Sequence, residues 1–182
     1  MHKIIKTEIE GLSIIEPRVF DDNRGYFFES FNKKSASDLI PQAEYVQDNE
    51  AKSQYGVVRG LHYQVAPNAQ AKLVRVITGR IIDVVVDLRP DSQTYGKYVR
   101  VELSEENKRM LFIPKGFAHG YSVLSEEAVF FYKCDDYYSP EHEGGIHPLD
   151  PTLNINWGIP KDKMIISEKD TLLPYIGNQR KN

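Results

Sequence analysis

Apolar residues in this chain mostly recur at every second position over short runs. Residues 98–103 alternate strictly, with Val99, Val101 and Leu103 on one side and Tyr98, Arg100 and Glu102 on the other. That is the period of a strand with one buried face. Residues 72–77 and 81–88 are two β-branched runs joined through Thr78, Gly79 and Arg80, which reads as a hairpin. In the second run Ile82, Val84, Val86 and Leu88 make an apolar face, and Asp83 and Asp87 flank Val85 on the opposite one. That strand is expected to pack on one side and to admit polar groups on the other. Further strands are expected at 11–19, 25–31, 57–63, 111–113, 119–124 and 128–134. Turn signals at 22–25, 89–91, 104–107, 114–116 and 143–145 separate them. A short helix is expected over 33–39, ended before Pro41. From Pro148 onward the chain is richer in Pro, Asn and Lys and is expected to wrap the rest with short helices and loops. With no internal repeat, low-complexity stretch or linker, the 182 residues read as a single, mainly β domain. Sandwich, jelly roll and closed barrel all fit such a series of strands.

Composition narrows the function. Hydrophobic residues at 41% and charged residues at 27% are those of a globular protein with a core. A net charge of −3 carries no overall electrostatic footprint for nucleic acid. An anionic small ligand would need a local basic cluster instead. The single cysteine, Cys134, excludes an internal disulfide and suits a reducing compartment. The first residues interleave charges with apolar positions, without the apolar core of a signal peptide, and no run is long enough to span a membrane as a helix. A cytoplasmic location is the expectation.

The segment Arg59-Gly60-Leu61-His62 places a guanidinium and an imidazole close together on an expected strand. Lys72 follows about ten residues on, and His119 comes later within Gly116-Phe117-Ala118-His119-Gly120. In a closed barrel, strands distant in sequence point side chains into one cavity. Taken singly, each histidine reads first as a hydrogen-bonded residue of a polar core. A metal site of the His-x-His type is poorly supported, because Gln64 stands two residues after His62 and no carboxylate follows shortly after. Metal-free proton transfer fits the residue set better. Imidazole titrates near neutral pH, so His62 can serve as a base. Lys72 and His119 can donate to a developing oxyanion, and the Tyr132 hydroxyl can return a proton, although spacing alone makes Tyr132 a core aromatic. Asp83, on the polar side of its strand, can pair with Lys72 or position a neighbour, with a structural role equally open.

At these residues the chain resembles the dTDP-4-dehydrorhamnose 3,5-epimerase family. The shared motifs run from near residue 4 to about residue 176. They include Asp22-Asn23-Arg24-Gly25-Tyr26-Phe27-Phe28-Glu29, Val46-Gln47-Asp48-Asn49, Arg59-Gly60-Leu61-His62 and Lys72-Leu73-Val74-Arg75. Residues 83–89, 113–121, 132–133 and 137–140 follow in the same order, and Ser167-Glu168-Lys169-Asp170 completes the set. The resemblance implies a double-stranded β-helix, the cupin jelly roll, with a few short helices, working as a homodimer without cofactor or metal. It implies inversion at C3 and C5 of a dTDP-4-keto-6-deoxy sugar; inversion at only one carbon of a related sugar is the alternative. In that chemistry His62, oriented by Asp170, removes the proton, Lys72 stabilises the enolate and Tyr132 reprotonates the opposite face. The resemblance also implies substrate contacts from Arg24, Glu29, Gln47, Asn49, Arg59, His119, Glu143 and Lys169, with Phe27 and Tyr138 stacking on the base. Nucleic acid and membrane are not among the expected partners. A sugar-binding jelly roll without catalysis is the rival of a different class. One departure falls at His147-Pro148-Leu149-Asp150, where many members carry Trp-Asn-Asp, so contacts from that loop are not carried over.

Overall fold

The computed structural model describes residues 3–34 and 44–181. The strands are β1 (Lys3–Lys6), β2 (Ser13–Glu16), β3 (Phe20–Asp22), β4 (Gly25–Phe27), β5 (Gln47–Gln54), β6 (Val57–Gln64) and β7 (Lys72–Thr78). They continue with β8 (Arg80–Asp87), β9 (Tyr98–Ser104), β10 (Met110–Ile113), β11 (Phe117–Val123), β12 (Glu127–Cys134), β13 (Glu143–Gly145) and β14 (Ile165–Ile166). A single-turn helix, α1 (Glu168–Thr171), and two 3-10 turns occupy the C-terminal part. The first sheet has the order β1-β2-β10-β7-β12-β5, and the second β13-β6-β11-β8-β9 with β14 alongside β6. Two facing sheets linked in this way form the cupin jelly roll. Lys33 and Lys34 are helical, and the rest of the helix expected over 33–39 lies outside the described residues.

The expected hairpin between residues 72–77 and 81–88 is corrected by the topology. β7 belongs to the first sheet and β8 to the second, so Thr78, Gly79 and Arg80 carry the chain across the barrel. Gly79 has φ +83°, and a Cβ there would lie 2.1 Å from the Glu127 carbonyl oxygen. A glycine in a positive-φ turn between β-branched runs looks like a hairpin locally; here the tight approach of Glu127 selects a sheet-to-sheet corner instead. Two expected strands are also shorter than foreseen: 11–19 contracts to β2 and 25–31 to β4.

Alternation decides where the core sits. Val99, Val101 and Leu103 of β9 point between the sheets, where they pack with Val74, Val76, Ile81, Val85, Leu111, Ile113 and Phe130. On the outer side of the second sheet, Ile82, Val84 and Val86 are covered by Ile146, Leu153 and Trp157 of the C-terminal wrap. β8 therefore buries both faces, and its apolar row faces the wrap while Asp83 and Asp87 face inward. Each such side chain removed from water contributes about 1.5–3 kcal/mol. The wrap is held by polar bonds as well. Trp157 Nε1 donates to the Pro148 carbonyl at 2.8 Å, and the buried Asp150 accepts from the Thr152, Leu153 and Ile176 amides. Residues 147–150 thus tie the tail down.

Candidate active site

One half of the barrel is filled with aliphatic side chains; the other opens into a cavity of about 530 Å³, within the usual range for a small-molecule site. β6, β7, β11 and β12 supply its walls, and β13, β14 and α1 close one side. Of the residues expected at the site, Arg59, His62, Lys72, His119, Tyr132, Tyr138, Glu143, Lys169 and Asp170 all line it.

The Arg59–His62 and His119–Gly120 motifs have one geometric cause. β6 and β11 are antiparallel, with His62 directly opposite His119. Gly60 has φ +114°, and a Cβ on it would lie 2.6 Å from Gly120 Cα. Two glycines face each other, the strands approach closely, and both imidazoles are set in one wall of the cavity.

His62 Nε2 lies 2.7 Å from Asp170 Oδ1. Asp170 also accepts from the Gly60 amide at 3.3 Å, and Ser167 caps α1 by accepting from the Asp170 amide. Burial pushes the Asp170 carboxyl up, but the bonds from His62, Gly60 and Ser167 outweigh it and hold the group below the usual carboxylate range. An ionised carboxylate only accepts, so Nε2 carries the hydrogen. Nδ1, which has no hydrogen-bond partner among the described residues, keeps the lone pair. The second pair is deeper: His119 Nε2 lies 2.9 Å from Asp83 Oδ2, and Asp83 Oδ1 is buried without a partner among the described residues. An oxygen left in that state costs about 1–3 kcal/mol.

Tyr132 projects from β12 beside Phe130, the ring centroids 5.6 Å apart, and Lys72 Nζ is 5.8 Å from the Tyr132 ring centre. Burial pushes the Tyr132 phenol up to about 12, so it is protonated near neutral pH. Burial likewise pushes the Lys72 ammonium down. At the mouth, Tyr138 donates to Glu143, and Lys169 Nζ contacts both Glu143 oxygens at 2.9 and 3.0 Å. Gln47 Oε1 accepts from the Tyr138 amide, its amide nitrogen donates to Asn49, and Asn49 Nδ2 lies 3.7 Å from Cys134 Sγ. Gln47 and Asn49 therefore support the cavity edge rather than line it.

Arg24, Phe27 and Glu29 are not brought to this cavity. Arg24 pairs with Asp22 at 2.6 Å on the β3–β4 hairpin, Glu29 accepts from Asn32, and Phe27 is 69% exposed. Three contributors were not anticipated. Ser53 on β5 accepts from Arg59 Nε at 3.1 Å and so aims the guanidinium. Tyr121 stacks on Phe130 at 4.4 Å. Gln64, considered only as a ligand that was missing, clamps the Tyr138 segment through the Ser139 amide and the Tyr137 carbonyl. Ser53 carries no signal in the sequence, whereas Tyr121 lies within the 113–121 motif. Among the described residues no three His, Cys, Asp or Glu side chains are grouped to hold a metal ion. No helix among them is long and apolar enough to cross a membrane.

The family model for dTDP-4-dehydrorhamnose 3,5-epimerase matches residues 6–178. The dTDP-4-dehydrorhamnose 3,5-epimerase of Shigella flexneri is 52% identical over 168 residues, 92% of each chain. The protein of the same name from Methanothermobacter thermautotrophicus is 50% identical over 169 residues, 92% of this chain and 91% of its own. Among solved structures, the dTDP-6-deoxy-D-glucose-3,5-epimerase of Legionella pneumophila Philadelphia 1, in complex with dTDP-4-keto-L-rhamnose, superposes with a TM-score of 0.94 at 49% identity, covering 98% of this chain and 94% of its own. The chain belongs to the dTDP-4-dehydrorhamnose 3,5-epimerase family.

Proposed function

We propose that this chain inverts C3 and C5 of dTDP-4-dehydro-6-deoxy-D-glucose to give dTDP-4-dehydro-L-rhamnose by acid–base catalysis, as an enzyme of dTDP-rhamnose biosynthesis. The observation that carries the reading is the His62–Asp170 pair at 2.7 Å in one cavity with Lys72 and the protonated phenol of Tyr132.

The C4 ketone acidifies the hydrogens on both neighbouring carbons. His62 Nδ1 takes one, and the C–H electron pair moves into the enolate with its charge on O4. The Lys72 ammonium lies in the wall to receive that charge. Tyr132 then gives its hydroxyl proton to the same carbon from the opposite face, and the new C–H bond completes the inversion. His62 has gained one proton and Tyr132 has lost one, and exchange with solvent resets both. Repetition at the second carbon needs no further groups. Arg59 and Lys169 supply the local positive charge for the diphosphate, Tyr138 stacks on the base, and Glu143 sits between Tyr138 and Lys169 to order them.

The remaining site residues point to a homodimer. The β3–β4 hairpin exposes Phe20, Tyr26 and Phe27 and carries Arg24, with Glu29 just beyond it, none of them near its own cavity. A second copy laying this hairpin over the cavity would bring these groups to the substrate and cover the apolar side chains. Gln47 and Asn49 would act from the edge. The whole chain works as a single domain, and its expected location is cytoplasmic.

Turnover of dTDP-4-dehydro-6-deoxy-D-glucose in D₂O tests the assignment. Deuterium is expected at both C3 and C5 of the product. Label at a single carbon would make the protein a mono-epimerase, and absence of label at both would remove the acid–base reading altogether.

A further inference from the structure

Lys72 sits among several ionisable groups, and most are already engaged. Glu143 is bound by Lys169 and Tyr138, and Asp170 by His62 and the Gly60 amide. The Cys134 thiol beside Lys72 is pushed up to about 11 by burial and is uncharged near neutral pH. Tyr121 and Tyr132 are phenols kept protonated by burial, and Arg59, His62 and His119 are not anions. Asp83 differs from all of these. It is fully buried, its Oδ2 meets His119 Nε2 at 2.9 Å, and its Oδ1 has no partner among the described residues. Lys72 Nζ, for its part, makes no hydrogen bond or ion pair among the described residues.

We propose that Asp83 is a positioning residue for the epimerisation, one oxygen fixing the His119 ring and the other supplying the counter-charge for Lys72 where the enolate forms. The inference rests on the epimerase reading above. As a carboxylate, Asp83 makes His119 Nε2 the N–H end of the ring and leaves Nδ1 for the cavity side. Two opposite charges in a dry site each make the other tolerable. Burial pushes Lys72 down and Asp83 up, and in each case the other group opposes the shift. A lysine without this partner would lose its proton at lower pH, and an uncharged amine cannot neutralise the enolate.

Asp83→Asn keeps the shape and a carbonyl oxygen that accepts from His119, but removes the charge. With kcat and KM followed against pH, kcat is expected to fall about 10- to 100-fold, with KM changing less than about threefold. The alkaline limb of the profile is expected to move down by about one pH unit or more. A limb that stays in place, whether kcat is unchanged or falls together with Tm, overturns the inference. Lys72→Arg is the independent variant, and it decides the matter if Asp83→Asn does not fold. A guanidinium stays charged over this range, so the alkaline limb should move up to that of the Tyr132 phenol; a limb that stays in place also overturns the inference. A wild-type protein that incorporates no deuterium would instead sink the epimerase reading beneath it, so the two failures are told apart.

Discussion

Two histidine–aspartate pairs stand side by side in one wall of the cavity, and they are built differently. In His62–Asp170 the histidine is on β6, and the carboxylate comes from a capped single turn more than a hundred residues later. Its histidine side chain is 35% exposed to the cavity mouth. In His119–Asp83 both residues lie on neighbouring strands of one sheet, and the side chains are 8% and 0% exposed. The first carboxylate has both oxygens satisfied; the second has one open. The same two side-chain types thus make a partly exposed pair in one place and a buried pair in the other. Accessibility and the second oxygen of the carboxylate set the difference, not the histidine–aspartate distance.

The harshest way to break this comparison is His62→Ala. Loss of a general base costs roughly 10²–10⁴-fold, and deuterium wash-in at both carbons should fall with turnover. If exchange survives near the wild-type rate, His119 is the base and the two pairs must trade roles. Binding of the nucleotide sugar, read by calorimetry, should survive, because His62 contributes to the proton and not to the diphosphate.

Asp170→Asn sharpens the comparison with a smaller effect. The amide oxygen can still accept from Nε2, so the ring keeps its tautomer but loses the charge that supports its protonated form. A fall of about 10- to 100-fold in kcat is expected. Stability should respond to pH as well. The Asp170 carboxyl is held below its ordinary value, so it stabilises the fold above about pH 4, the unfolded value, and that contribution is lost as pH falls through the lowered folded value. The Tm gap between wild type and Asp170→Asn should therefore be largest near neutral pH and shrink on acidification. A gap independent of pH would mean that the carboxylate acts only by shape.

Strands with aliphatic inner faces were legible in the sequence, as 98–103 shows: Val99, Val101 and Leu103 alternate with polar residues because their inner face is dry core. β5 was not legible. Its burial alternates from Gln47 to Gln54, but both rows are largely polar, and its inner face borders the cavity. Hydropathy cannot mark a strand whose buried side is polar. The corner at Gly79 failed for another reason, since the contact with Glu127 that decides it is distant in sequence. Among site residues, His62, Lys72, Tyr132 and Asp170 converge as the ordered motifs implied. Ser53, which aims Arg59, was invisible because a serine on a polar strand has no pattern to distinguish it. Arg24, Phe27 and Glu29 could be read as binding groups, yet a single chain does not bring them to the cavity.

The mildest effect is expected at the mouth, where Lys169 separates electrostatic support of substrate from support of the protein itself. Lys169 holds Glu143 in the free protein, so an incoming diphosphate must draw the ammonium away from a carboxylate. The gain on binding is the difference between two ion pairs. An exposed pair is worth only about 0.2–1 kcal/mol, so the difference is small. Lys169→Met is therefore expected to raise KM a few-fold, to leave kcat nearly unchanged and to shift Tm little. A KM increase beyond about 100-fold would mean that Lys169 leaves Glu143 completely and makes a charge-assisted bond to phosphate. In that case Glu143→Gln, which releases the lysine in advance, should lower KM. If KM rises in both variants, the pair acts as a unit, with Glu143 holding Tyr138 against the base while Lys169 holds Glu143. The mouth would then resemble the Asp83 site, a carboxylate whose value lies in what it keeps in place.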